Sequence, residues 1–272
     1  MKKLFNPDNL KLLEALSFTP TLYAFDFDGT LSKIVRNPQD AAIKPSTDLL
    51  LKELAKHAPV AIISGRSIAD LKTHLKFVPP HLIGNHGLEG LGTRPDALDL
   101  AKKICVDWRQ YLENHLPKEE LKGGLEIEDK SFSIAVHYRK CASKKKAKID
   151  VLNVVATLDP KPRIILGKCV VNLLPPGAPH KGVALVELMF QTEIKSAFYI
   201  GDDDTDEDVF SLPNARIFTV RVGKKTTSQS QFYIHEQSEI DRVLKTVLRF
   251  YDSSKTKSES VVERKDALYG RA

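Results

Sequence analysis

The stretch Leu22-Tyr23-Ala24-Phe25-Asp26-Phe27-Asp28-Gly29-Thr30-Leu31 limits what this chain can fold into more than any other. An apolar run, Leu22 to Phe25, stops at two aspartates two positions apart and is followed at once by Gly29-Thr30. A short apolar run closed by a turn signal reads as a buried strand. Glycine lets the chain turn where a Cβ would be strained. Such a strand delivers two carboxylates to its own C-terminal end, where open α/β sheets bind ligands. Acids that close repel one another, and one is driven toward its neutral form unless a cation lies between them. A hard divalent ion such as Mg²⁺ takes oxygen ligands and relieves the repulsion. In that setting Asp26 can attack a phosphoryl group and Asp28 can pass a proton to the leaving oxygen. Asp and Gly are also ordinary turn residues after a strand, so the motif alone leaves both readings open.

The chain has 272 residues, enough for one large domain or two modest ones. It is 42% hydrophobic and 28% charged, which is ordinary for a globular protein with a buried core. A net charge of +6 suits an anionic substrate and is too weak to indicate nucleic-acid binding. Cys105, Cys141 and Cys169 are widely spaced and show no metal-ligand pairing, so reduced thiols in a cytoplasmic protein are expected. Met1-Lys2-Lys3 is not followed by an apolar core, which argues against a signal peptide. No apolar run approaches the about 18 residues of a membrane helix. The expected protein is a monomer with no membrane or nucleic-acid partner.

Further strands end in chemistry of their own. Val60 to Ile63 runs into Ser64-Gly65-Arg66, with Ser67 placed to cap the next helix and Asp70 three residues on. A hydroxyl on a glycine turn beside an arginine suits a phosphate oxygen, though the same run can be a plain strand-to-helix turn. His81 to Gly84 leads into Asn85-His86-Gly87-Leu88-Glu89-Gly90, whose glycine spacing is not the dinucleotide fingerprint. His180-Lys181-Gly182 opens a helix over Val183 to Phe190, placing a lysine at the unfavourable end of the dipole. Ala197 to Ile200 ends in Gly201 and then Asp202-Asp203-Asp204-Thr205-Asp206-Glu207-Asp208, a density of acids that calls for a cation. Thr205 with Asp208 can cap a helix there, which accounts for Asp206 to Asp208 but not for Asp202 and Asp203.

Between these segments the character changes. A helix is expected from Pro95 to His115, and a hairpin over Gly124 to Glu128 and Phe132 to Tyr138 with its turn at Glu128-Asp129-Lys130-Ser131. A helix from Ala142 to Leu158 and a second strand pair, Arg163 to Leu166 and Cys169 to Leu174, complete an α+β unit. Lys144, Lys145, Lys146 and Lys148 read as a solvated helix face. Arg216 to Val222 is expected to be the final core strand and Ser238 to Tyr251 a closing helix, before a polar tail.

D-x-D-G-T resembles the first motif of the haloacid dehalogenase superfamily, and the run from Asp26 through Ile34-Val35, Pro38 and Ala41 resembles the trehalose-6-phosphate phosphatases. S-G-R resembles the second motif, H-K-G the third with His180 in place of Asn or Asp, and G-D-D-x-T-D-E-D the fourth. The resemblance implies a doubly wound parallel-sheet core over 1–92 and 178–251, an inserted α/β cap over 93–177 and a flexible tail over 252–272. It implies Asp26 as nucleophile, Asp28 as acid and base, and Ser64 and Lys181 as the phosphoryl cradle. Mg²⁺ would be held by Asp26, the Asp28 carbonyl and Asp202, with Asp203 and Asp206 in support. Gly65, Arg66, His86, Gly87 and Glu89 would lie at the substrate, and Glu128, Arg139, Lys168 and Asn172 of the cap would meet the sugar. The family carries Glu where this chain has Asn172, which bears on the identity of the sugar.

The expectation is therefore Mg²⁺-dependent hydrolysis of trehalose 6-phosphate, functionally paired with a trehalose-6-phosphate synthase. The rivals are a phosphatase of a sucrose- or glucosylglycerol-phosphate type, a phosphomutase, and a non-catalytic sugar-phosphate sensor.

Overall fold

The computed structural model describes residues 1–35, 37–92 and 95–253, so the expected tail lies almost wholly outside the described residues. Its parallel sheet is built from β1 (Lys2–Lys3), β2 (Thr21–Phe25), β3 (Val60–Ile63), β4 (His81–Ile83), β9 (Ser196–Gly201), β10 (Ile217–Val222) and β11 (Phe232–Ile234). The spatial order is β1-β11-β10-β9-β2-β3-β4, with every neighbouring pair parallel. The chain moves outward from β2 through β3 to β4, then returns to the other side of β2 and moves outward again. Strand order thus reverses between β2 and β9, and a crevice opens at their carboxyl ends.

β2 is buried at every position, as a strand covered on both faces must be. Tyr23 and Phe25 face one layer together with Val60, Ile62, Phe198 and Ile200. That layer is closed by α1 (Pro7–Ala15), α2 (Pro45–Leu54), α3 (Ile68–His74) and a C-terminal helix, α9 (240–253), through Leu13, Leu51, Leu71 and Leu244. Leu22, Ala24, Ala61, Ile63, Ala197 and Tyr199 face the opposite layer, against Ala184, Leu185 and Leu188 of α7 (Lys181–Gln191). The short α8 (Glu207–Phe210) adds Val209 and Phe210 to it. This alternation between two layers is the period-2 consequence of strand geometry.

Between β4 and α7 the chain forms a separate antiparallel sheet in the order β5-β6-β8-β7: β5 (Glu126–Asp129), β6 (Ile134–His137), β7 (Arg163–Gly167) and β8 (Val170–Leu174). Its apolar face packs on α4 (Pro95–His115) and α6 (Lys144–Val155), with α5 (Lys118–Lys122) alongside. Trp108 is the largest side chain of this second core, where it joins Leu112, Val151, Val136 and Leu173 and donates from Nε1 to the Pro160 carbonyl at 3.1 Å.

Two expectations shift. The β5–β6 turn falls at Lys130–Ser133, two residues later than the sequence suggests. Asp129 Oδ1 accepts from Ser131 N at 2.7 Å, and Ser131 takes φ +70°. That local Asx turn holds Glu128 inside the strand, paired with Ala135. The strand at 217–222 is also not the last one, because β11 and then β1 extend the sheet beyond it. Strands of three and two residues, one of them a lysine pair, carry too little apolar periodicity to be read. Among the described residues no helix is long and apolar enough to cross a membrane.

Candidate active site

Register brings the acids together. Phe25 lies opposite Ile200, and Asp26 N donates to the Ile200 carbonyl at 2.9 Å, so the residues just past β2 and β9 are neighbours. Oxygens of Asp26, Asp202 and Asp206 lie within 4.8 Å of one another. Gly29 makes this approach possible. Its φ is +84°, and a Cβ there would fall 2.2 Å from Asp202 Oδ2.

Lys181, at the first turn of α7 and 2% exposed, reaches into the cluster. Its Nζ donates to Asp26 Oδ1 at 2.7 Å and to Asp206 Oδ1 at 2.8 Å. Burial works against the ammonium, but Asp206 and Asp26 outweigh it and hold it charged. His180 caps the same helix, its Nδ1 accepting from Val183 N at 3.3 Å, which is the work an Asn or Asp would do at that position. Asp26 is raised well above the ordinary carboxylate range by burial, against which Lys181 pulls it down while Asp206 and Asp202 push it further up. Asp202 is pushed up to about 7 by burial and then by Asp206 and Asp203.

Asp206 is fully buried and accepts three hydrogen bonds. Besides Lys181 it accepts from Tyr199 Oη at 2.6 Å and from Asp203 N at 2.8 Å. Asp203 and Asp206 form a reciprocal capping box, so the cap of the acidic turn falls on Asp203 and not on Thr205. Arg221 of β10, 6% exposed, donates to the carbonyls of Asp202 and Asp203 and to Glu207. Tyr199 and Arg221 were missed in the sequence. Each is a polar residue inside an otherwise apolar buried strand, which was the available signal.

The remaining capacity belongs to Asp202, whose Oδ1 is buried without a hydrogen-bond partner. A buried carboxylate oxygen left bare beside a second carboxylate is a hard-oxygen donor set that fits a divalent cation such as Mg²⁺. Asp26 and Asp202 have the open positions, while Asp206 and Asp203 hold the loop.

Ser64 follows β3 and is 1% exposed, with its Oγ accepting from Arg66 N at 3.2 Å. Arg66 lines the cleft, but its guanidinium is taken up by the protein. Nε and Nη2 clamp the two oxygens of Asp28 at 2.6 and 2.7 Å. The other contacts run to Asp70 at 2.7 Å, His74 Nε2 at 3.0 Å and the Pro38 carbonyl at 2.9 Å. With its N–H directions so used, Arg66 positions Asp28. Gly65 is needed because a Cβ would meet the His86 ring at 2.5 Å. His86 is 6% exposed, holds φ +58° and has an unpartnered Nδ1. Burial, then Lys181, Lys130 and Arg163, keep its imidazole neutral. Glu89 does not line the cleft; its Oε2 accepts from Ile68 N and Asn85 Nδ2, both at 2.9 Å. Gly87 does not line the cleft either; its φ is +120°, and a Cβ there would fall 3.1 Å from Ala184 Cβ and from the His180 carbonyl oxygen.

The cleft measures about 1070 Å³ and runs between the two sheets, from Asp26, Asp28, Ser64, Lys181 and Asp202 to Glu128, Arg139, Gly167, Lys168 and Asn172. Lys130 and His137, which the sequence did not single out for the site, also line it. His137 Nε2 lies 2.7 Å from Glu128 Oε2, and although burial opposes it, this contact with Lys130 holds Glu128 below its ordinary range. Arg139 donates to the Lys168 carbonyl at 3.0 Å and pins the β7–β8 turn. Asn172 spends one amide hydrogen on the Ile165 carbonyl at 3.4 Å.

The reversal of strand order beside β2 and the antiparallel unit inserted after β4 together define a haloacid dehalogenase-like α/β fold. The chain belongs to the trehalose-phosphatase family, whose model matches residues 24–262. Similar curated proteins include the trehalose-phosphate phosphatase of Mycobacterium tuberculosis, 31% identical over 222 residues, or 74% of this chain and 54% of that one. An uncharacterized glycosyl hydrolase of Mycobacterium tuberculosis is 36% identical over 201 residues, 68% of this chain and 15% of that one. The chain thus spans about half the length of the first curated relatives it matches. Among solved structures, the Candida albicans trehalose-6-phosphate phosphatase C-terminal domain aligns with a TM-score of 0.68 at 21% identity, covering 88% of this chain and 96% of that one. The Aspergillus fumigatus trehalose-6-phosphate phosphatase aligns at 0.61 and 22% identity, covering 92% and 99%. At such identities these alignments bear on fold alone.

Proposed function

We propose that this chain hydrolyses trehalose 6-phosphate to trehalose and phosphate through an aspartyl-phosphate, in the cytoplasm and with Mg²⁺. Lys181 occupies Asp26 Oδ1, so attack on phosphorus falls to the second oxygen. As the Asp26 O–P bond forms, the P–O bond to the sugar breaks, and Asp28 gives its proton to the leaving oxygen. Water then attacks phosphorus while Asp28 takes up its proton, and the acyl-phosphate opens to return Asp26 and release phosphate. Ser64 and Lys181 hold the phosphoryl oxygens, and Arg66 keeps Asp28 facing the leaving group. A bound Mg²⁺, held by Asp26 and Asp202, would offset charge on the transferring group. The inserted unit, 93–177, would act as a cap that excludes water and presents Glu128, Arg139, Lys168 and Asn172 to the sugar.

The observation that carries this reading is the buried Asp26–Lys181–Asp206 cluster beside the bare Oδ1 of Asp202. It unites a nucleophile, its counter-charge and a cation position at the reversal of strand order. Asn172 favours one second reading, a different sugar phosphate with the same chemistry, because an amide already committed to Ile165 offers less to a hydroxyl than a carboxylate.

The test is phosphate release from trehalose 6-phosphate beside a panel of sugar phosphates, with Mg²⁺ and with chelator. Chelator-sensitive preference for trehalose 6-phosphate is expected. Preference for another sugar would keep the mechanism and move the substrate, and no release from any would overturn the proposal. Asp26→Asn is expected to remain folded by circular dichroism and to lose turnover.

A further inference from the structure

Asn85 has no exposed surface and lies in the left-handed region at φ +47°, a conformation Asn tolerates better than most residues. Three sets of bonds over-determine it. Its backbone N donates to the Arg66 carbonyl at 2.8 Å, and the next residue's N donates to the Ser64 carbonyl at 2.9 Å, so its loop is laced to the Ser64–Arg66 turn. Its Nδ2 donates to Glu89 Oε2 at 2.9 Å within the parallel-sheet unit. The same Nδ2 donates to the Lys130 carbonyl at 3.1 Å, and Oδ1 accepts from Ser133 Oγ at 2.7 Å, both at the tip of the β5–β6 hairpin.

A different contact between the two units is the Arg163–Asp208 ion pair at 2.9 Å, with side chains 34% and 27% exposed. A half-buried ion pair of this kind is partly screened by water and is the weaker of the two links. The Asn85–Ser133 bond is buried on both sides, with Ser133 2% exposed, and breaking it would strand a polar atom in the interior.

We propose that Asn85 is a positioning residue, through which the hairpin tip of the inserted unit is fixed to the Ser64–Arg66 turn as the pivot about which that unit closes. It sets where Glu128, two residues before Lys130, stands relative to the phosphoryl site. The closure and its catalytic consequence rest on the phosphatase reading above, while the anchoring of the hairpin tip rests on the hydrogen bonds alone.

The experiment pairs Ser133→Ala and Asn85→Ala with the double variant in the full chain. Hydrogen–deuterium exchange is read over 126–137 and 163–174, and kinetics on trehalose 6-phosphate and on p-nitrophenyl phosphate. Ser133→Ala is expected to speed exchange over 126–137 while 163–174 stays as in the wild type. KM for the sugar phosphate should rise at least about fivefold, with the small ester changed less than about twofold. Adding Ser133→Ala to Asn85→Ala should cost little more, because the two act through one bond. Unchanged exchange at the hairpin overturns the pivot, as does an equal loss on both substrates. Should the wild type hydrolyse no sugar phosphate, the phosphatase reading and the closure fail, and the exchange result still decides the anchor.

Discussion

Arg66 and Asp202 show how single side chains divide the work of the site. The guanidinium holds both oxygens of Asp28 in a fork that a lysine cannot copy. Arg66→Lys is expected to lower kcat at least about tenfold with little change in KM, since it removes orientation of the acid and base and not a substrate contact. Steady-state kinetics checks this, and a rise in KM alone would return Arg66 to the substrate. Asp202, pushed up to about 7, binds a proton more tightly in the folded than in the unfolded chain. Between its ordinary value near 3.8 and about 7 the native state therefore holds more protons, and the contribution of Asp202 to metal-free stability falls as pH rises. On the proposed function, Mg²⁺ would compete with that proton. Saturating Mg²⁺ is expected to raise the melting temperature by about 5 °C or more at pH 8 and by little at pH 5. Thermal denaturation at both pH values checks it, and equal shifts would place the ion elsewhere.

Elements set these residues in place through their ends. β2 and β9 deliver Asp26 and Asp202 because they pair in register. α3 starts where Ser67 Oγ accepts from Asp70 N at 3.1 Å, and α7 starts where His180 caps Lys181 into the cleft. Most strand and helix spans were legible from apolar periodicity and capping residues; Val60–Ile63 and Pro95–His115 fall where the sequence places them. The β5–β6 turn was not, because the Asp129–Ser131 bond outcompeted the turn expected two residues earlier. In the inserted unit, Trp108 on α4 joins a core separate from the two layers of the parallel sheet. Trp108→Ala is expected to cost about 3–5 kcal/mol of that unit's stability. Urea denaturation followed by far-UV circular dichroism measures it, and a cost under about 1 kcal/mol would deny Trp108 that place.

At the scale of the molecule, two units with separate cores face each other across one cleft, and the residues proposed to meet the sugar, Glu128, Arg139, Lys168 and Asn172, all come from the inserted unit. Chemistry and selectivity should then separate on mutation. Lys168→Ala is expected to reduce kcat/KM for the sugar phosphate at least about tenfold more than for p-nitrophenyl phosphate. Parallel losses on the two substrates would show that Lys168 acts on the phosphoryl group and not on the sugar.

The sequence by itself determined the chemistry-bearing ends of four strands, because a buried apolar run that stops at Asp, Ser or a glycine turn leaves those groups nowhere but the sheet's carboxyl edge. It also determined the residue types that a phosphoryl group and a hard cation require. Only the tertiary structure decided how these groups are used. Arg66 turned from substrate to Asp28, Asp206 was consumed by Lys181 and Tyr199, Glu89 became a strut, and Asn85 joined the two units. Those bonds join residues 7 to 48 positions apart in the chain, and which donor meets which acceptor is settled by packing at that distance, not by local pattern.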